Sequence, residues 1–117
     1  MRLAAGCFEV GARSATILRM ANGSPETLTI AGFQKHISER YEKHDRARGM
    51  PGTWLHFSEE IGELARALAR NNDRGNLEEE FADVIAWLCT LANISDVDLA
   101  SAITRKYLSE RAPEGHK

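Results

Sequence analysis

Acidic residues in two short runs carry the chemistry that this chain could perform: Glu59, Glu60 and Glu63, then Glu80 and Asp83. On a helix, side chains three residues apart are neighbours with Cβ atoms about 5–6 Å apart. Glu60 pairs with Glu63 in this way, and Glu80 with Asp83. At about 100° per residue each pair flanks the apolar stripe of its own helix, while Glu59 points roughly away and ranks below the other four. If the two helices pack as an antiparallel hairpin, the four carboxylates converge along one edge of the buried seam. Acids held that close repel strongly unless a cation neutralises them. An all-oxygen donor set suits Mg²⁺ or Mn²⁺ rather than zinc.

Taken alone, a Glu-x-x-Glu repeat is usually a solvated helix face. Acids in a first helical turn also favour the macrodipole, which would account for Glu78 and Glu79 and bears on Glu80. The conjunction argues for a site. Both pairs lie on consecutive helices beside an apolar stripe, and neither has a basic partner one turn on: Ala67 follows Glu63 by four residues, and Trp87 follows Asp83.

The elements that must position these residues are helical. From Thr29, an available N-cap, Ile30, Phe33, Ile37, Tyr41 and His44 recur at steps of three and four. Gly49-Met50-Pro51-Gly52 breaks that pattern, and Thr53 can cap a second helix with the stripe Trp54, Phe57, Ile61, Leu64 and Leu68. Trp54 is assigned to core or dimer packing. After the turn at residues 71–75, Asn76 can cap a third helix carrying Leu77, Phe81, Val84, Ile85, Leu88 and Leu91. Asp98 can cap a shorter fourth helix through Ile103 and Tyr107. Short turns between long helices favour antiparallel neighbours, so the expected fold is all-α, an antiparallel bundle of about four helices. Residues 1–27 lack either period and read as a loosely structured arm, residues 28–112 as the domain, and residues 113–117 as a tail.

The composition excludes some classes. A net charge of -2 from 15 basic and 17 acidic residues gives no electrostatic case for a nucleic-acid or membrane-surface partner. No apolar stretch reaches the roughly 20 residues of a membrane span. Glu9 and Arg13 interrupt the apolar residues near the start, and Cys7 and Cys89 form no metal-ligand spacing. Reduced thiols and a cytoplasmic protein are expected.

With these residues in view, the chain resembles the MazG-like proteins of the all-α nucleoside triphosphate pyrophosphohydrolase superfamily, in their short single-domain branch. The resemblance rests on Glu59-Glu60-Ile61-Gly62-Glu63 followed by Glu80-Phe81-Ala82-Asp83. The surroundings continue it in Asp45-Arg46-Ala47-Arg48-Gly49, Ala82 to Leu88, Leu91-Ala92-Asn93, Val97-Asp98-Leu99 and Lys106-Tyr107. It spans about residues 30–111. The resemblance implies that Glu60, Glu63, Glu80 and Asp83 hold one or two Mg²⁺ ions on the phosphates of a nucleoside triphosphate. A metal-activated water would attack the α-phosphorus and release a nucleoside monophosphate and pyrophosphate. It further implies phosphate contacts from Lys106, with Arg111 assisting, a place for Trp87 in the base pocket, and assembly as a homodimer or homotetramer. Glu110 stands where several relatives carry an asparagine, which bears on base and sugar specificity. A non-catalytic, nucleotide-binding dimerisation module is the alternative, and the complete acidic quartet argues against it.

Overall fold

A computed structural model describes residues 24–110 and 113–115. A short 3-10 turn at Pro25–Thr27 leads into α1 (Ile30–Arg70), α2 (Arg74–Ile94) and α3 (Leu99–Tyr107), and there is no strand among the described residues. Most of the expected N-terminal arm, Arg111 and part of the tail lie outside the described residues.

The Thr29 side chain caps α1 by accepting the Gly32 N–H at 2.9 Å. The break expected at residues 49–52 falls at Gly49, whose φ of 85° and ψ of 169° leave helical space, so α1 consists of two helical stretches joined at a kink. Only glycine tolerates that backbone readily. Pro51 follows, with no N–H to extend the ladder. Thr53 is not an N-cap, because it already lies inside the run and its hydroxyl donates back to the Gly49 carbonyl at 2.7 Å.

Asn71 ends α1 in the left-handed conformation, with φ 47°. The α2 cap is Asp73 rather than Asn76: its Oδ1 accepts the Asn76 N–H at 3.0 Å, so the helix begins earlier than expected. With so short a turn α2 runs back antiparallel to α1, and His56 meets Trp87 while Glu60 approaches Asp83. Asp98 caps α3 as expected, accepting the Ser101 N–H.

α3 leaves α2 at a bend of 100°. Gln34 pins that bend to α1, donating to Asn93 Oδ1 at 3.0 Å and the Val97 carbonyl at 2.7 Å, and accepting the Leu99 N–H at 3.0 Å. Arg46 adds contacts to the Asn93 carbonyl and Asp96. The apolar core is small: Ile37, Ala86, Trp87 and Cys89, with Phe33, Tyr41, Phe57 and Leu99 packed against it. No single helix among the described residues is long and apolar enough to cross a membrane.

The side of each helix that faces the seam differs from expectation. Trp54, Ile61 and Leu68 are exposed on α1, as are Phe81, Ile85 and Leu88 on α2. Trp54, at 55% exposure, is therefore not core within this chain. The seam buries Thr53, Glu60, Ala67, Leu77, Glu80, Asp83, Trp87 and Thr90 instead. The acids sit in the middle of the α1–α2 contact, not at its edge.

Candidate metal centre

The kink and the short hairpin fix the register in which α1 presents Glu60 to Glu80 and Asp83 of α2. One carboxylate oxygen from each of these three residues lies within 4.8 Å of the others, and all three side chains are buried. Glu60 is completely buried, and neither of its oxygens has a hydrogen-bond partner of ordinary geometry. Burying a polar group without a partner is costly, and burying a charge more so. Burial is accordingly the first reason that the Glu60 pKa is pushed up to about 8; the adjoining Glu63 carboxyl is the next, followed by the negative charges of Asp83 and Glu80.

Carboxylates held this close repel one another, and a cation relieves that repulsion. The donors are all hard carboxylate oxygens, one of them carries two unsatisfied buried atoms, and the three converge on a common point. The residues present therefore fit a divalent cation of the Mg²⁺ or Mn²⁺ class.

Glu63 stands one turn beyond Glu60, half-buried, beside the trio rather than within it, and with Glu80 it lines a cavity toward the hairpin end. Glu59 is exposed and engages His56 Nδ1 at 3.1 Å. Trp87 is 1% exposed and belongs to the apolar core. Its ring stacks on His56, with centroids 5.0 Å apart, and lies under the Arg48 guanidinium at 4.9 Å. Lys106 is exposed on α3, where its ammonium lies 5.6 Å from the Tyr107 ring centroid. Arg111 falls outside the described residues.

The polar layer next to the acids was not singled out from the sequence. His56 precedes Glu60 by one turn, and that i−4 spacing is the signal that could have found it. Asp45 is 1% exposed and Arg48 bridges to its Oδ1. Burial raises the Asp45 pKa, against the opposing pull of Arg48. Asp45 and Arg48 precede the kink at Gly49, and helical periodicity does not encode their contacts with Thr90 and Trp87 of α2.

Residues 52–116, more than half of the chain, match the model of the MazG nucleotide pyrophosphohydrolase domain. The match begins just after the kink and takes in both acidic runs. No curated protein matches the chain.

Proposed function

We propose, for a chain that belongs to the MazG nucleotide pyrophosphohydrolase domain family, that it hydrolyses nucleoside triphosphates to nucleoside monophosphate and pyrophosphate in a Mg²⁺-dependent reaction that Mn²⁺ also supports. The observation that carries this reading is the buried trio Glu60, Glu80 and Asp83, with the Glu60 carboxyl fully buried among other acids. Glu63 adds a fourth carboxylate at the open side of the trio. A cation held by these residues would polarise a phosphate oxygen and lower the pKa of a nearby water.

The chain's own contribution is positioning. The α1–α2 register holds the carboxylates before substrate arrives, so little reorganisation accompanies the reaction. Packing by Trp87 and His56 closes one side of the trio and limits access of bulk water there. Water attack on the α-phosphorus then breaks the bond to the α–β bridging oxygen, and pyrophosphate departs.

The exposed apolar residues of α1 and α2 support a homodimer or a higher homo-oligomer. Trp54, Ile61 and Leu68 on one helix, with Phe81, Ile85 and Leu88 on the other, form a face that a second copy can cover.

The test is a panel of nucleoside triphosphates incubated with Mg²⁺ or with a chelator. Monophosphate and pyrophosphate should appear in equal amounts with Mg²⁺ and neither with the chelator. A Glu80→Gln variant that retained full activity would remove the trio from the mechanism.

A further inference from the structure

Beyond the acids, the hairpin end of the α1–α2 pair holds a half-enclosed cavity of about 310 Å³, within the range of small-molecule sites. Glu63 and Glu80 form its wall on the side of the trio, and Arg66, Arg70, Asn72 and Asn76 line the rest. Its lining includes no aromatic ring and no large apolar side chain. Helical spacing explains the arrangement. Arg66 and Arg70 follow Glu63 by three and seven residues, and so share its face of α1, while Asn76 precedes Glu80 by one turn on α2. Among the described residues, neither arginine is engaged in an ion pair or a hydrogen bond. Both guanidinium groups are exposed and available to a ligand.

We infer that Arg66 and Arg70, assisted by Asn72 and Asn76, form the subsite that holds the pyrophosphate end of the triphosphate. This inference rests on the proposed function and assigns polarity to the substrate. The α-phosphorus lies at the buried carboxylates, and the β- and γ-phosphates extend toward the hairpin turn. A guanidinium presents a planar fork of donors that matches phosphate oxygens, and the asparagine amides supply neutral donors beside it. A base would find no stacking surface in this cavity. On the other side, one helical turn from Glu60 and Asp83, the stacked His56 and Trp87 rings pack across the seam.

Charge makes the subsite conditional. Glu63, Asp73 and Glu80 outnumber the two arginines in the same lining, so the empty cavity does not attract an anion by itself. Once a divalent cation offsets the carboxylates, the arginines dominate. Binding of pyrophosphate should therefore require the cation.

Calorimetric titration of the full chain tests this, first with Mg²⁺ alone and then with inorganic pyrophosphate or a nucleoside monophosphate. The Arg66→Gln/Arg70→Gln variant should take up Mg²⁺ as the parent does. It should lose about tenfold in pyrophosphate affinity for each arginine, with monophosphate affinity within about twofold of the parent. Arg70→Lys, which keeps the charge and loses the fork, should fall between the two. Both arginines are exposed, so the melting temperature should not move; if the double variant fails to fold, Arg70→Gln alone carries the expected tenfold loss. Unchanged pyrophosphate affinity with intact Mg²⁺ uptake would overturn the subsite and leave the metal centre standing. An equal loss for monophosphate and pyrophosphate would overturn it too, by showing that the arginines do not read the leaving group. Failure of the parent chain to bind Mg²⁺ would instead overturn the proposed function, and the subsite with it.

Discussion

His56 and Trp87 stack across the α1–α2 seam with ring centroids 5.0 Å apart and planes 21° from parallel. One turn beyond His56 on α1 is Glu60, and one turn before Trp87 on α2 is Asp83. The stacked rings therefore set the register in which the acids meet. The stack thus packs directly beside a cluster of like-charged carboxylates.

The repulsion has a direct consequence for Glu60→Gln. The amide keeps the shape, removes the buried charge and supplies a donor to neighbouring carboxylates. Hydrolysis should be lost, while the metal-free protein should melt higher near neutral and alkaline pH. For a domain of this size each kcal/mol recovered corresponds to a shift of about 4–8 °C. Thermal unfolding in a chelator checks the stability, and a lower melting temperature for the variant would mean that Glu60 is stabilising as it stands.

The pH dependence of the metal-free protein follows from the same residue. The folded-state pKa of Glu60 is raised from 4.5 to about 8. The folded state then holds a proton that the unfolded chain has lost, so the contribution of Glu60 is fully present below about pH 4.5 and is lost as the pH rises toward 8. Between those limits the melting temperature in a chelator should decline. Glu60→Gln should flatten that decline, and saturating Mg²⁺ should reverse its sign, because the cation favours the ionised carboxylates. Melting curves at several pH values, with and without Mg²⁺, measure all three.

Much of this arrangement was legible in the sequence, and the exceptions have a common cause. Thr29 and Asp98 act as caps because capping is local chemistry within three residues. The break at Gly49 and the pairing of Glu80 with Asp83 are equally local. The identity of the seam was not legible. An apolar stripe predicts the buried face when a helix packs within its own chain, yet Ile61 and Phe81 face outward here and Glu60 faces in. Glu63, expected among the ligands, adjoins the Glu60 carboxyl one turn along α1. The contacts of Asp45 with Thr90 and of Arg48 with Trp87 span the kink, and no spacing rule reports them.

Gly49→Ala should destabilise the fold by about 1–3 kcal/mol. The added Cβ would have room, since the nearest atom is Pro51 Cδ at 3.9 Å, so the cost comes from the backbone at φ 85°. Chemical denaturation measures it. A neutral result would show that the kink relaxes without penalty.

The outward apolar face should govern assembly. Ile61→Asp or Ile85→Asp places a charge at its centre and should shift the protein to a monomer in sedimentation velocity, with the helical content kept. Buried carboxylates would remain in register within each chain. If both variants sediment as the parent does, the assembly uses another surface.

The most direct measurement of the central claim is hydrolysis of a nucleoside triphosphate in oxygen-18-labelled water, with Mg²⁺ present and with it chelated. Attack at the α-phosphorus under cation control predicts label in the nucleoside monophosphate, unlabelled pyrophosphate in equal amount, and no turnover in the chelator or in Glu60→Gln. Label in free phosphate with a nucleoside diphosphate as co-product, or turnover that survives chelation, would contradict it.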